Sequence, residues 1–246
     1  MITQKYLSSS ETSRALQDLF YNYTHLPLGG KEIVCPYWIN SLKRLRYGPG
    51  GGKGNPQENI MHTNSKAKEK NIDLNKQSER EIVLFMKKNR IGVDCSGFAF
   101  WMLNALDLEK GGNGIYDDIP NSRGKIIKIR ASTKMLTDEG ISFFVQKINE
   151  IKPGDMIRLR GGHHLAVVLE IEKDKDRNTQ KIIYAHSSSC FFTAVSGVHK
   201  ESIIIKDSEK SIQEQDWREQ TQDKSNYANN LYPQAGDGIK RLKIWK

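Results

Sequence analysis

The sequence predicts an α+β fold in which a cysteine-bearing helix packs on an antiparallel β-sheet. Helical patterns fill the first half of the chain and strand patterns crowd into the second. An aspartate, Asp94, stands as the cap of an apolar helix whose first residue is Cys95. Helices first and strands later point to segregated layers rather than to alternating βαβ units.

Taken in order, apolar spacing predicts helices near Glu11–Tyr23, Ser78–Lys88 and Cys95–Leu106. In the third, Phe98, Trp101, Met102, Ala105 and Leu106 recur at helical intervals behind the Asp94 cap. Gly48-Pro-Gly-Gly-Gly-Lys53-Gly54 reads as a flexible loop over a cleft. It is not a phosphate loop, because no glycine stands six residues before Lys53 and Gly54 replaces the Ser or Thr. Pro153-Gly154 turns the chain into strands near Met156–Arg160, His164–Ile171, Lys181–His186, Phe191–Val195 and Ile203–Ile205, with Ile239–Trp245 as a closing strand. Asp207–Asn230 is polar, anchored only by Ile212, Trp217 and Tyr227, and is expected as a surface helix or a long loop. No repeat is visible. Residues 1–246 are expected to form one domain, with a core of about 91–205 and an elaborated front of 1–90.

A composition of 37% apolar and 27% charged residues suits a globular chain rather than a disordered one. No apolar run approaches the roughly 20 residues that cross a bilayer, and Met1 to Gly30 show no signal-like apolar stretch. Thirty-eight Lys and Arg against 29 Asp and Glu give a net charge of +9, which favours polyanionic partners. The basic clusters are Lys43-Arg44/Arg46/Lys53, Lys66/Lys68/Lys70, Lys87-Lys88-Arg90, Arg123/Lys125/Lys128/Arg130 and Lys240-Arg241/Lys243/Lys246. No aromatic-basic or zinc-finger pattern argues for nucleic acid.

Cys95 carries the chemical argument. At a helix start, free N–H groups and the dipole stabilise a thiolate, and Gly97 lets another backbone approach. Alone, a free cysteine is more often a small buried hydrophobe in a core helix. Two histidines change that balance: His164 opens one strand pattern and His186 ends the next. A thiol and an imidazole, with a third polar group fixing the tautomer, form a nucleophile–base–orienter unit. Strand alternation admits only one of His163 and His164 to the cleft. His25, His62 and His199 lack any partner pattern and read as ordinary residues. Cys35, Cys95 and Cys190 make an odd set. Cys35 and Cys190 could pair in an oxidising compartment. A zinc set of Cys35, Cys95, His186 and Cys190 is conceivable, but it lacks the Cys-x-x-Cys spacing of structural zinc.

The order Asp94-Cys95-Ser96-Gly97-Phe98, then Pro153-Gly154-Asp155 with a strand, then His164 with an aliphatic strand, then a strand ending His186-Ser187, resembles the NlpC-type cysteine peptidases. The resemblance covers about residues 91–190, with a fainter match at Cys35-Pro36-Tyr37-Trp38. It implies a papain-like fold and a bacterial cell-wall endopeptidase with Cys95 as nucleophile, His164 as base and His186 as orienting residue. Tyr37, Asp94 and Ser96 are the implied substrate-binding residues, and neither cofactor nor metal is expected. Two departures stand out. Residues 38–90 form a long insertion before the cysteine, and Ile39-Asn40-Ser41 replaces the usual Gly-Gly after the tyrosine. The implied substrate is a peptidoglycan stem peptide, and the basic surface is a candidate contact for a polyanion such as the wall polymer. The chain is expected to act as a monomer. A thiol hydrolase or acyltransferase on another amide or ester, and a wall-binding domain without catalysis, are the alternatives. Compartment is left open, since wall hydrolysis without a visible leader would need phage-type release, dedicated secretion or a cytosolic substrate.

Overall fold

Ser13 both ends a first strand, β1 (Ser9–Thr12), and caps the first helix, α1 (Arg14–Thr24), by accepting the Leu16 N–H on its hydroxyl. The computed structural model describes residues 9–40, 48–116, 118, 131–189, 195–222, 224, 227 and 236–245. A hairpin follows, β2 (Leu26–Leu28) and β3 (Lys31–Ile33), turning on Gly29-Gly30. Both glycines have positive φ, as a two-residue hairpin loop requires. The helices α2 (Pro56–Glu69) and α3 (Glu79–Lys88) each begin with a reciprocal capping box, Asn55 with Glu58 and Ser78 with Glu81. The sequence reading has no counterpart for α2. Its buried residues are Pro56, Asn59, Thr63 and Ala67, too small or polar to give an apolar period. The cysteine helix is α4 (Cys95–Glu109), and a one-turn helix, α5 (Thr133–Leu136), lies near it.

The sheet is antiparallel throughout. Its strands are β4 (Ser142–Phe144), β5 (Met156–Leu159), β6 (His164–Lys173), β7 (Thr179–Ser188), β8 (Gly197–Ile204), β9 (Asp216–Trp217) and β10 (Gly238–Leu242), in the order β4-β10-β5-β6-β7-β8-β9. One edge of β6 serves two partners. β5 pairs with His164–Val167, and β1 pairs with Glu170–Lys173. A register shift between Val168 and Glu170 separates the two stretches, and the sheet curls.

Each face of β6 buries a core of its own. Leu165, Val167 and Leu169 join Ala185 against Phe98 and Met102 of α4. Ala166 and Val168 join Tyr184 against Trp217 and Tyr227. The α+β expectation, with the cysteine helix on an antiparallel sheet, therefore describes this architecture.

The differences are local. β8 starts at Gly197 and reaches Ile204, not Ile203–Ile205 alone, because hydrogen bonding to β7 carries polar His199 to Ser202 into the sheet. The closing strand stops at Leu242, and Lys243–Trp245 is a 3-10 turn. The expected strand Phe191–Val195 falls almost wholly outside the described residues, with only Val195 described, in a bend, and Cys190 is outside them too. The segment read as a polar surface, Asp207–Asn230, instead walls the second core through Ile212, Trp217 and Tyr227.

Some of the basic clusters dissolve as surface features. Lys53 is buried on Asp94, Arg241 pairs with Asp155 at 2.6 Å, and Lys240 lies over the Phe144 ring. Among the described residues no helix is long and apolar enough to cross a membrane.

Candidate functional site

The start of α4 is built on Asp94. Its Oδ1 accepts the Gly97 N–H at 2.7 Å, and its two oxygens take Lys53 Nζ at 2.6 and 2.9 Å. Lys53 Nζ also donates to Ser96 Oγ at 2.5 Å, and Ser96 Oγ donates back to Asp94 Oδ1 at 3.0 Å. Both charged side chains are about nine-tenths buried, so each depends on the other for its solvation. Asp94 and Ser96 are thereby both engaged in the helix start. The glycine-rich loop is its foundation, not a lid. Gly52 O accepts the Asp94 N–H, Lys53 O accepts the Trp101 indole N–H, and a Cβ on Gly97 would stand 2.5 Å from Gly52 O.

Cys95 is buried, with 7% of its surface exposed. Burial, followed by the Asp94 carboxylate, pushes its thiol up to about 11, against the opposing pull of Lys53, the Thr133 hydroxyl and the Leu165 backbone N–H. Burial above all, with the Asp94 charge beside the sulfur adding to it, thus favours the thiol over the thiolate expected at a helix start. The Leu165 contact has a structural origin. The β6–β7 ladder reaches only Val167↔Ala185, while β7 stays on β8 as far as Ser188↔Gly197. β6 and β7 therefore part at the end where α4 begins. There Ser187 Oγ donates to Val93 O at 2.7 Å and ties β7 to the residue before the cap.

At the same end of the sheet stands a linear array, with the Tyr227 ring 6.4 Å from His164 and within reach of the Cys95 charge. His164 Nε2 is 2.6 Å from His186 Nδ1, and His186 Nε2 is 3.0 Å from Glu219 Oε1. Glu219 also accepts from Tyr184 Oη at 2.5 Å and from His199 Nε2 at 3.0 Å. These partners hold the Glu219 carboxyl well below the usual carboxylate range despite its burial.

An ionised Glu219 fixes the protons. His186 must carry hydrogen on Nε2, and burial keeps its ring neutral, leaving Nδ1 bare. His164 must then donate from Nε2. Burial, followed by His186, drives its pKa well below the ordinary histidine value, so its Nδ1 is the free basic nitrogen. His163 is exposed.

Alternation along β6 and β7 places His164 and His186 on the face of Ala166, Val168 and Tyr184, whereas α4 packs on the other face. Among the described residues no hydrogen bond joins Cys95 to His164. Tyr37 bridges to Val93, and the charges of Cys95 and Asp94 add to burial in raising its phenol, so it belongs to the cysteine's neighbourhood. Cys35 is a core residue holding the Asn59 amide at 3.4 Å, and burial raises its thiol. Among the described residues the grouping that could hold a metal is His186, His199 and Glu219, not the cysteines. Glu219, Tyr184 and Lys53 are the participants that sequence reasoning missed, and His199 is the one it set aside. Against known protein families, curated proteins and solved structures, the chain finds no match.

Two buried neutral histidines give a stability signature. Their folded pKa values lie below those of the unfolded chain, so as pH falls through about 6.5 the unfolded state takes up protons that the folded state refuses. Urea unfolding should therefore show stability dropping by about 2–3 kcal/mol between roughly pH 7.5 and 5.5. His186→Asn should flatten that slope by nearly half. A slope of zero across this window would mean that both rings protonate freely in the folded protein.

Proposed function

We propose that the protein is a papain-like cysteine hydrolase of the NlpC type that cleaves an amide bond in a peptidoglycan stem peptide. The observation that supports this reading most directly is the His164–His186–Glu219 array. It leaves a bare imidazole nitrogen on the residue next to Leu165, whose N–H meets the Cys95 sulfur.

In the proposed cycle the Cys95 proton passes to His164 Nδ1 as sulfur attacks the scissile carbonyl. The Cys95 backbone N–H at the start of α4 helps to hold the oxyanion. Collapse returns the proton to the leaving amine, and water then cleaves the thioester with His164 again as base. The resting pair is neutral, so proton transfer belongs to the substrate complex. There the ring must come within roughly 2.6–3.2 Å of the sulfur, a contact that often tightens only when substrate binds.

The test is mass spectrometry of peptidoglycan fragments after incubation. Products bearing a new amine and a new carboxyl at one stem-peptide bond, absent with Cys95→Ala, support the reading; intact fragments with the unaltered protein sink it. The buried, neutral Cys95, unbonded to His164, favours a second reading, a wall-binding domain without catalysis. Retention on insoluble wall without any cleavage would establish that one.

A further inference from the structure

His186 and His199 face each other directly across β7 and β8, and Glu219 closes over both. Glu219 Oε1 lies 3.0 Å from each Nε2, and the three ligand atoms lie within 4.8 Å of one another. His199 Nδ1 is 3.0 Å from Gly197 O, a carbonyl that can only accept, so this nitrogen carries hydrogen. The opposite nitrogen then aims at a carboxylate. The Nε2 atoms of His186 and His199 and Glu219 Oε1 thus converge on one point, as the ligands of a single cation do.

We propose that His186, His199 and Glu219 form a site for a divalent metal ion of the zinc type. Two imidazoles and one carboxylate are a common zinc ligand set with a free fourth position. Tetrahedral zinc bonds of about 2.0–2.1 Å put neighbouring ligand atoms roughly 3.3 Å apart, so the two 3.0 Å spacings to Glu219 need to widen by only a few tenths of an ångström. The outer contacts are also in place. His199 Nδ1–H rests on a backbone carbonyl, Tyr184 Oη donates to the second Glu219 oxygen, and His186 Nδ1 faces His164.

The binding site stands apart from the hydrolase reading.

The experiment uses the full chain carrying Cys95→Ser, so that the thiol neither binds metal nor turns over substrate. Zn²⁺ is competed against a chromophoric chelator. The expected result is one Zn²⁺ per chain, and binding weaker by ~10–100-fold or more in His199→Asn. Co²⁺ added to the unaltered chain should give the strong visible bands of a tetrahedral nitrogen–oxygen site without a thiolate charge-transfer band. That readout decides the matter even if His199→Asn fails to fold. Absence of binding in Cys95→Ser, unchanged affinity in a folded His199→Asn, or a thiolate band with Co²⁺ would each overturn the proposal. None of these outcomes depends on whether stem peptides are cleaved.

Discussion

His164→Ala is expected to lower kcat on a stem-peptide substrate by roughly 10²–10⁴-fold, the usual worth of general-base assistance. The loss should fall on kcat more than on KM, because the ring is buried beneath the site and its free nitrogen is needed only when the thiol loses its proton. His163→Ala should stay near the unaltered rate, since that side chain is exposed. Steady-state kinetics of the two variants side by side give the answer. A severe His163→Ala with a mild His164→Ala would move the base by one residue.

Glu219→Gln is the second large effect, and its route differs. The substitution keeps the shape but replaces a charged acceptor by a group with a donor end. If the amide N–H₂ turns to His186 Nε2, that nitrogen must become the acceptor, Nδ1 takes the hydrogen, and His164 is pushed into the tautomer that cannot accept the thiol proton. An analogous tautomer fault costs a catalytic triad about 10⁴-fold in kcat. Glu219→Ala should instead be read in stability. It strands the donors of Tyr184, His186 and His199 in a buried space, a loss of about 3–5 kcal/mol, which lowers Tm by on the order of 10 °C. Thermal unfolding of both variants separates the effects. A fast Glu219→Gln enzyme would show that the carboxylate is packing alone.

The parts legible in the sequence are those with a local signal. Asp94 before an apolar period announces α4, and His164 and His186 stand where aliphatic strand patterns begin and end. α2 carried a cap signal in Asn55-Pro56-Gln57-Glu58, but its inward face is polar or small, so no period accompanied it. Glu219 was hidden differently. Burial alternates along Gln215, Trp217, Glu219 and Thr221, as in a strand, yet three of the four are polar and the chain reads there as solvent-facing. What makes Glu219 a core residue is a set of partners far away in sequence, on β7 and β8. Lys53 was misread for the same reason, since a lysine in a glycine-rich loop shows nothing of the carboxylate it meets 41 residues later. The helix start at Cys95 is legible, but the upward push on its thiol is not, because that push comes first from the burial of the sulfur and then from the Asp94 charge.

The long reach of these contacts dictates an order of assembly. Lys53 meets Asp94 across 41 residues, Ser187 meets Val93 across 94, and Tyr184 meets Glu219 across 35. Contacts so distant along the chain close late and slowly. On the ribosome the loop that seats α4 emerges before the helix it supports, whereas the charge that orders the histidines emerges only after both of them. A nascent chain that already displays its thiol and both imidazoles therefore still lacks the carboxylate that orders them, which arrives only with residue 219.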